Sequence, residues 1–421
     1  MATEKKYFPI KTDTACQLKW NWSTLYLNSG ITASCHRTSI SEITAENFLN
    51  FHNTPLKLAD RQRMLDGVWP EQSCGYCRDI EIAGGTSDRM RHLTIPDQSP
   101  PELDINPQAI NISPTILEVY FNNACNLGCL YCDTTGALSS TIATENKQYG
   151  DFKKEGVELV SIDSHFKDLV PHFWKWFPVG FPKIKRMHIL GGEPFYQKEL
   201  DKLLDMIEQY PNPNCELNII TNLMVPKKRI EDFLLKTKKL LIKRKLKRID
   251  ITCSIDCWGP QQEYVRWGIN LKQWEENFNL LIENKWIYLN INQTMSALTI
   301  KTIPALLAKL AVWRKDRQIG HWFGGITPGP SYLKGEIFSD KEFKNDAVEI
   351  LNLMPKDTDE EKVAVKYMEG IFKQILGAEQ NIDEIKKLLT FLNEKDRRRN
   401  TNWRELFPWL IKYEDLCGIQ E

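Results

Sequence analysis

The sequence predicts an α/β chain built around an open, partial (β/α)6 barrel, flanked by a cysteine-rich N-terminal region and a helical C-terminal extension. Two observations predict it. Six strand-like runs follow one another between residues 115 and 326, most of them separated by stretches of helical period, and such alternation argues for a parallel sheet. Six units are also too few to close an eight-stranded barrel.

The strands are read in order as TILEVYFNN (115–123), RMHIL (186–190), CELNIITNL (215–223), RIDITCSID (248–256), IYLNINQTM (287–295) and the weaker HWFGGI (321–326). Between them, Ile230, Phe233, Leu234 and Leu241 keep a helical period, as do Leu271, Trp274, Phe278, Leu281 and Ile282, and then Ile303, Leu306, Leu307 and Leu310. In the fourth strand Asp250, Thr252, Ser254 and Asp256 alternate with Ile249, Ile251, Cys253 and Ile255. In the fifth, Tyr288, Asn290, Asn292, Thr294 and Ser296 form the more polar set. Side chains alternate across a strand, so the apolar sets should pack on helices and the polar sets should face an interior that holds a polar ligand.

The Pro-rich stretch IPDQSPPELDINPQ (95–108) marks a linker. The expected organisation is therefore a cysteine-rich region with linker at 1–106, the partial barrel at 107–335 and the helical extension at 336–421. Two amphipathic faces mark that extension, Val363 to Leu376 and Ile385 to Leu392.

With 55 basic and 55 acidic residues the formal net charge is zero, which gives no global case for nucleic acid or an anionic membrane. The basic runs Lys243 to Lys247 and Arg397 to Arg399 read as solvated helix faces. No apolar run approaches the roughly 18 residues that span a bilayer, and no apolar run follows the basic N-terminus, so a cytoplasmic, reducing setting is expected. The 11 cysteines are then thiols or metal ligands, not a disulfide framework.

Three of them, Cys125, Cys129 and Cys132, stand at C-x3-C-x2-C spacing just after the first strand. Loops at strand C-termini are where such barrels place their chemistry. A structural zinc needs a fourth ligand, and the nearby histidines, His165 and His172, lie in a helical region. The ferredoxin run fails, because Gly136 stands where its fourth cysteine belongs. A [4Fe–4S] cluster on three thiolates leaves one iron open.

The segment CNLGCLYC resembles the signature of the radical S-adenosylmethionine (SAM) superfamily. The resemblance makes Cys125, Cys129 and Cys132 the cluster ligands and Tyr131 the aromatic before the last of them. SAM itself is the implied fourth ligand, through its amino and carboxylate groups. LGGEPF after the second strand resembles the family's turn that meets the SAM amino group, here Gly191, Gly192, Glu193 and Pro194. The resemblance further implies cofactor contacts for Asn222, Ser254, Asp256, Thr294 and Arg266, the last pairing with the SAM carboxylate as in peptide-modifying members. No residue is assigned as catalytic, and Cys215, Cys253 and Cys257 carry no assignment.

The N-terminal Cys16, Cys35, Cys74 and Cys77 are enough to close a metal site, and alone they read as structural zinc. They flank a hairpin-like stretch, LKWNWSTLYLNSGITAS, and the C-x2-C knuckle in GVWPEQSCGYC. With the family in view they resemble a twitch-type extension that holds an auxiliary [4Fe–4S] cluster, although they precede the barrel, where many relatives place theirs after it. The resemblance covers residues 16–95 and roughly 115–330. It implies reductive cleavage of SAM to a 5′-deoxyadenosyl radical and hydrogen abstraction from a substrate C–H bond, with an external low-potential electron donor. A peptide or protein is the expected substrate, and a small molecule (sugar, nucleotide or amino acid) is the alternative. A zinc-stabilised binding module or iron–sulfur redox sensor is the reading from another class.

Overall fold

The computed structural model describes residues 12–35, 38–82, 87–90, 109–132, 139–160, 168–327 and 329–418. The linker read at 95–108 and His165 lie outside the described residues. All six predicted strands form: Ile116–Tyr120, Arg186–Leu190, Glu216–Thr221, Arg248–Ser254, Tyr288–Met295 and Gly320–Ile326. Helices fill the intervals, among them Val170–Gly180, Lys198–Gln209, Lys227–Ile242, Leu271–Glu283 and Ile303–Trp313. The fold is mixed α/β, with parallel strands alternating with helices. Among the described residues no helix is long and apolar enough to cross a membrane.

The chain divides into two compact units. The first takes residues 1–122, 164–220 and 231–250. Its strands lie in the order Ser41–Glu42, Ile31–Ala33, Trp22–Tyr26, Ile116–Tyr120, Arg186–Leu190, Glu216–Thr221. The expected hairpin forms, pairing Tyr26 with Ile31 and Thr24 with Ala33. Its first strand then adds parallel to Ile116–Tyr120, with Trp22 beside Ile116 and Tyr26 beside Tyr120. Periodicity did not anticipate that docking, because all five residues of the strand are buried, the polar Ser23 and Thr24 included.

Two helices, Pro55–Leu65 and Glu71–Ile82, follow in a stretch where few periodic segments were expected. The first starts on a Thr54 cap that accepts from Lys57 N, with Pro55 at the first helical position, where its missing N–H costs nothing. Its buried Arg61 donates to the carbonyls of Lys19 (2.7 Å), His52 (2.8 Å) and Ile110 (2.7 Å). That fork ties the hairpin to the segment that enters the next strand.

The second unit takes residues 123–163, 221–230 and 251–421. Tyr288–Met295 pairs parallel with Gly320–Ile326. Leu289, Ile291, Gln293 and Met295 are buried while Tyr288, Asn290, Asn292 and Thr294 keep exposure, as the alternation predicts. Ser296, just past the strand, is buried instead, its N–H bonded to Thr299 Oγ1 at 2.9 Å. The C-terminal helices share this unit's core. Ile303, Leu307 and Phe338 pack in one cluster with Phe343, Ile371, Phe372, Leu388, Leu392 and Trp403. Each fully buried side chain of this size contributes about 1.5–3 kcal/mol.

The two basic runs behave differently. The Lys243 and Lys247 side chains are solvated, as expected. In the second run only Arg397 is, at 58% exposure, while the Arg398 and Arg399 side chains are buried at 0% and 2%. The physical reason is that the buried carboxylates of Glu145 and Glu394 pair with these guanidinium groups.

Candidate cofactor site

The three-cysteine loop is assembled from both flanks. Gly128–Cys129 forms a short antiparallel ladder with Arg266–Trp267, placing Arg266 directly opposite Cys129. On the other flank, Ser140 at the start of the helix Ser140–Tyr149 bonds both backbone groups of Cys125, its Oγ accepting from the N–H (2.9 Å) and standing 3.0 Å from the carbonyl. Thr141 Oγ1 donates to the same carbonyl at 2.6 Å, and Ser139 Oγ to that of Leu127 at 3.1 Å. These hydroxyls were not singled out in the sequence. The signal was there, since a run of Ser and Thr at a helix start is a capping pattern.

The Cys125 sulfur accepts from Leu127 N at 3.4 Å and lies 3.7 Å from Asn222 Nδ2. Burial raises the Cys129 thiol pKa. The Arg266 charge opposes that rise, and the neighbouring Cys132 and Cys125 add to it. Three thiols on one short loop, Cys129 within reach of the charges of the other two and N–H groups aimed at the Cys125 sulfur, are a donor set that fits an iron–sulfur cluster on three cysteines. Hydrogen bonds to sulfur are one of the levers that set such a cluster's potential.

Beside the loop stands a buried ionic knot. Arg266 Nε and Nη2 donate to the two Asp256 oxygens at 2.8 and 2.9 Å. Tyr131 Oη donates to Asp256 Oδ2, and Thr294 N donates to Asp256 Oδ1 at 3.0 Å. The guanidinium lies 5.5 Å from the Tyr131 ring centre. Burial alone would weaken the Arg266 charge, and the adjoining Asp256 carboxylate more than offsets it, so the group stays protonated. Burial likewise pushes the Tyr131 phenol well above its ordinary range. Four of the sequence candidates, Tyr131, Asp256, Arg266 and Thr294, thus meet at one carboxylate. Asn222 turns on itself, its Oδ1 accepting from Met224 N at 2.8 Å while Nδ2 reaches Asn126 Oδ1 at 3.0 Å. Ser254 is buried at the end of its strand.

The Gly191-Gly192-Glu193-Pro194 turn lies in the first unit, at the C-terminal end of Arg186–Leu190. Gly192 N donates to the Asn122 carbonyl at 3.0 Å, and Gln197 Nε2 does so at 3.1 Å. Glu193 is fully buried and accepts from Phe195 N at 3.1 Å. Gly191 has φ +128°, and a Cβ there would sit 2.6 Å from the Asn122 carbonyl oxygen. Both facts require glycine. Gly191→Ala is therefore expected to cost about 1–3 kcal/mol of stability, read as a lowered urea midpoint at unchanged slope.

The N-terminal cysteines also converge. Cys16, Cys35, Cys74 and Cys77 line one cavity of about 30 Å³ together with Lys19, Trp69 and Arg89. The expected knuckle is a turn of the helix Glu71–Ile82, which sets Cys74 and Cys77 on one face. Burial, with the charges of the other three, raises the Cys16 thiol. Cys74 is pushed up to about 12, mainly by burial and partly against the nearby Lys19 ammonium. Lys19 is itself buried and paired with Asp60.

No three His, Cys, Asp or Glu side chains among the described residues stand close enough together to ligate one ion as they are. A tetrahedral zinc site brings sulfurs to about 3.8 Å of one another. A four-iron cube spaces them more widely, because each thiolate takes a different iron. Cys16 and Cys35 sit at the N-terminal end of the parallel strands, and Gly191 follows a strand's C-terminal end. A five-residue strand, about 17 Å long, separates the two edges.

No family model matches the chain, and no curated protein does. Among solved structures, SuiB of Streptococcus suis bound to S-adenosylmethionine is 14% identical over 78% of this chain and 66% of that one, with TM-score 0.35. Native anSMEcpe with bound AdoMet and the Kp18Cys peptide is 14% identical over 57% and 59%, with TM-score 0.31. The Escherichia coli coproporphyrinogen III oxidase HemN, described as a radical SAM enzyme, is 12% identical over 63% and 54%, with TM-score 0.34. The chain spans between half and two thirds of these proteins' lengths.

Proposed function

We propose that this chain is a radical SAM enzyme. The observation that carries the reading is the CNLGCLYC loop, with N–H groups on the Cys125 sulfur, Arg266 opposite Cys129, and the Cys129 thiol within reach of the charges of Cys125 and Cys132. Cys125, Cys129 and Cys132 would hold a [4Fe–4S] cluster. With SAM on its open iron, such a cluster would supply the chemistry of reductive SAM cleavage and of hydrogen abstraction from a substrate C–H bond.

The chain's own residues bind and orient. Gly191 and Gly192 expose backbone for the amino group of SAM, and Glu193 holds that turn by accepting from Phe195 N. Asp256 fixes the Arg266 guanidinium beside Cys129, where it can meet the SAM carboxylate, and Tyr131 covers it. Asn222, Ser254 and Thr294 are the further polar positions read as cofactor contacts.

Four thiols with Lys19 and Arg89 alongside suit an auxiliary [4Fe–4S] cluster at the N-terminal site, because nearby cations favour thiolate ligands. Zinc is the second reading, and iron against zinc content decides between them. Full ligation and a place at the opposite strand end from Gly191 suit structure or electron transfer, not substrate contact.

A peptide or protein in a reducing, cytoplasmic setting is the substrate we favour, with a small molecule as the alternative. Competition between candidate peptides and small metabolites for SAM turnover separates them. The reading itself is tested by anaerobic reconstitution with iron and sulfide, reduction and addition of SAM. 5′-Deoxyadenosine is the expected product, and none after full iron loading contradicts the reading.

A further inference from the structure

We infer that the C-terminal helix Ile382–Arg399 is the frame of the three-cysteine loop, and that Arg399 is a positioning residue for whatever the loop ligates. The inference rests on that loop being the cluster site.

The helix holds both elements that hold the loop. On one side is Ser140–Tyr149, whose first turn fixes the Cys125 backbone. Its Glu145 accepts from Lys395 (2.5 Å) and from Arg399 Nε (2.7 Å). Its Asn146 Oδ1 and the Gly150 carbonyl accept from Arg398, each at 2.9 Å. On the other side is the segment that ladders with Cys129. Tyr264 Oη donates to Asp396 Oδ1 at 2.8 Å, two residues before Arg266.

Arg399 touches the loop itself. Its guanidinium lies 4.9 Å from the Trp267 ring centre. A Cβ on Gly128 would meet Arg399 Nη2 and Trp267 Cε3, each at 3.1 Å. Gly128 thus leaves just the room that lets a planar cation lie against the loop backbone.

Arg399 is 2% exposed, and among the described residues its Nη1 and Nη2 have no hydrogen-bond acceptor. A buried cation so placed is costly. Here the Glu145 carboxylate and the Trp267 π-face offset the cost. Side chains alternate across the Gly128–Cys129 strand, so Arg399 presses on the face opposite the Cys129 thiol. It supports the ligand loop from behind and is not itself a ligand.

The test follows the SAM-responsive EPR signal of the reduced, reconstituted full-length protein during challenge with an iron(II) chelator. The temperature is one at which circular dichroism shows every variant folded. Arg399→Met should lose the signal about tenfold faster than wild type, the scale expected when support behind a metal ligand is removed. Arg399→Lys keeps a charge for Glu145 but not the planar stack, and should fall between. Arg397→Ala, at the exposed position, should match wild type. A role in folding alone would lower the unfolding midpoint without shortening the signal's lifetime below it. Equal lifetimes in wild type, Arg399→Met and Arg399→Lys would overturn the inference and leave the functional reading standing. A wild type that loads iron but gives no SAM-responsive signal would overturn both.

Discussion

Cys125→Ala should abolish formation of 5′-deoxyadenosine while leaving metal at the N-terminal cysteines. The Cys125 sulfur receives N–H groups from Leu127 and Asn222, and its backbone is held by Ser140 and Thr141. Removing the sulfur removes a ligand, and even removing the groups behind a ligand costs 10–100-fold. SAM cleavage should therefore fall by more than about 100-fold. Stability should change little, because the residue is half-buried and its backbone partners remain. The four N-terminal thiols belong to the other compact unit and share no ligand with this loop. Their metal content should match wild type. Cleavage of SAM at the wild-type rate by Cys125→Ala would remove the loop from the chemistry.

Asp256→Ala should be the most destabilising single change at the site. The carboxylate is fully buried and satisfies Arg266 twice, Tyr131 and the Thr294 amide. Alanine leaves the 7%-exposed Arg266 as a stranded buried cation. Breaking such a pair from one side costs about 3–5 kcal/mol. Asp256→Asn keeps one of the two acceptor oxygens for the donors around it and should lose less than alanine. Urea unfolding of the metal-free variants checks both. A loss below about 1 kcal/mol for the alanine variant would mean that the pair is not held as described.

Much of this was legible in the sequence. Strands and helices declared themselves where one face is apolar, as in Tyr288–Met295 with its alternating burial. The three-cysteine spacing and the paired glycines at 191–192 stood out because sulfur chemistry and positive φ each admit so few residue types. What stayed hidden is tertiary. Trp22–Tyr26 gives no sign that it docks as an extra parallel strand, since both of its faces are buried. Cys74 and Cys77 looked like a knuckle and lie on a helix, because a C-x2-C spacing also matches one helical turn. The resemblance implies cofactor contacts for Arg266 and Asp256, and only the fold shows that the two also pair with each other. Arg398 and Arg399 read as solvated because Asn146 and Glu145, which help to hold them, are about 250 residues away in the chain.

The most direct measurement is an iron and sulfide count on reconstituted wild type and on the Cys125→Ala/Cys129→Ala/Cys132→Ala variant. About eight iron in wild type and about four in the variant is the expected result, one cluster at each cysteine set. About four and none, with one zinc in both, would keep the radical site and make the N-terminal site zinc. Equal iron in the two proteins would contradict the assignment of a cluster to the CNLGCLYC loop.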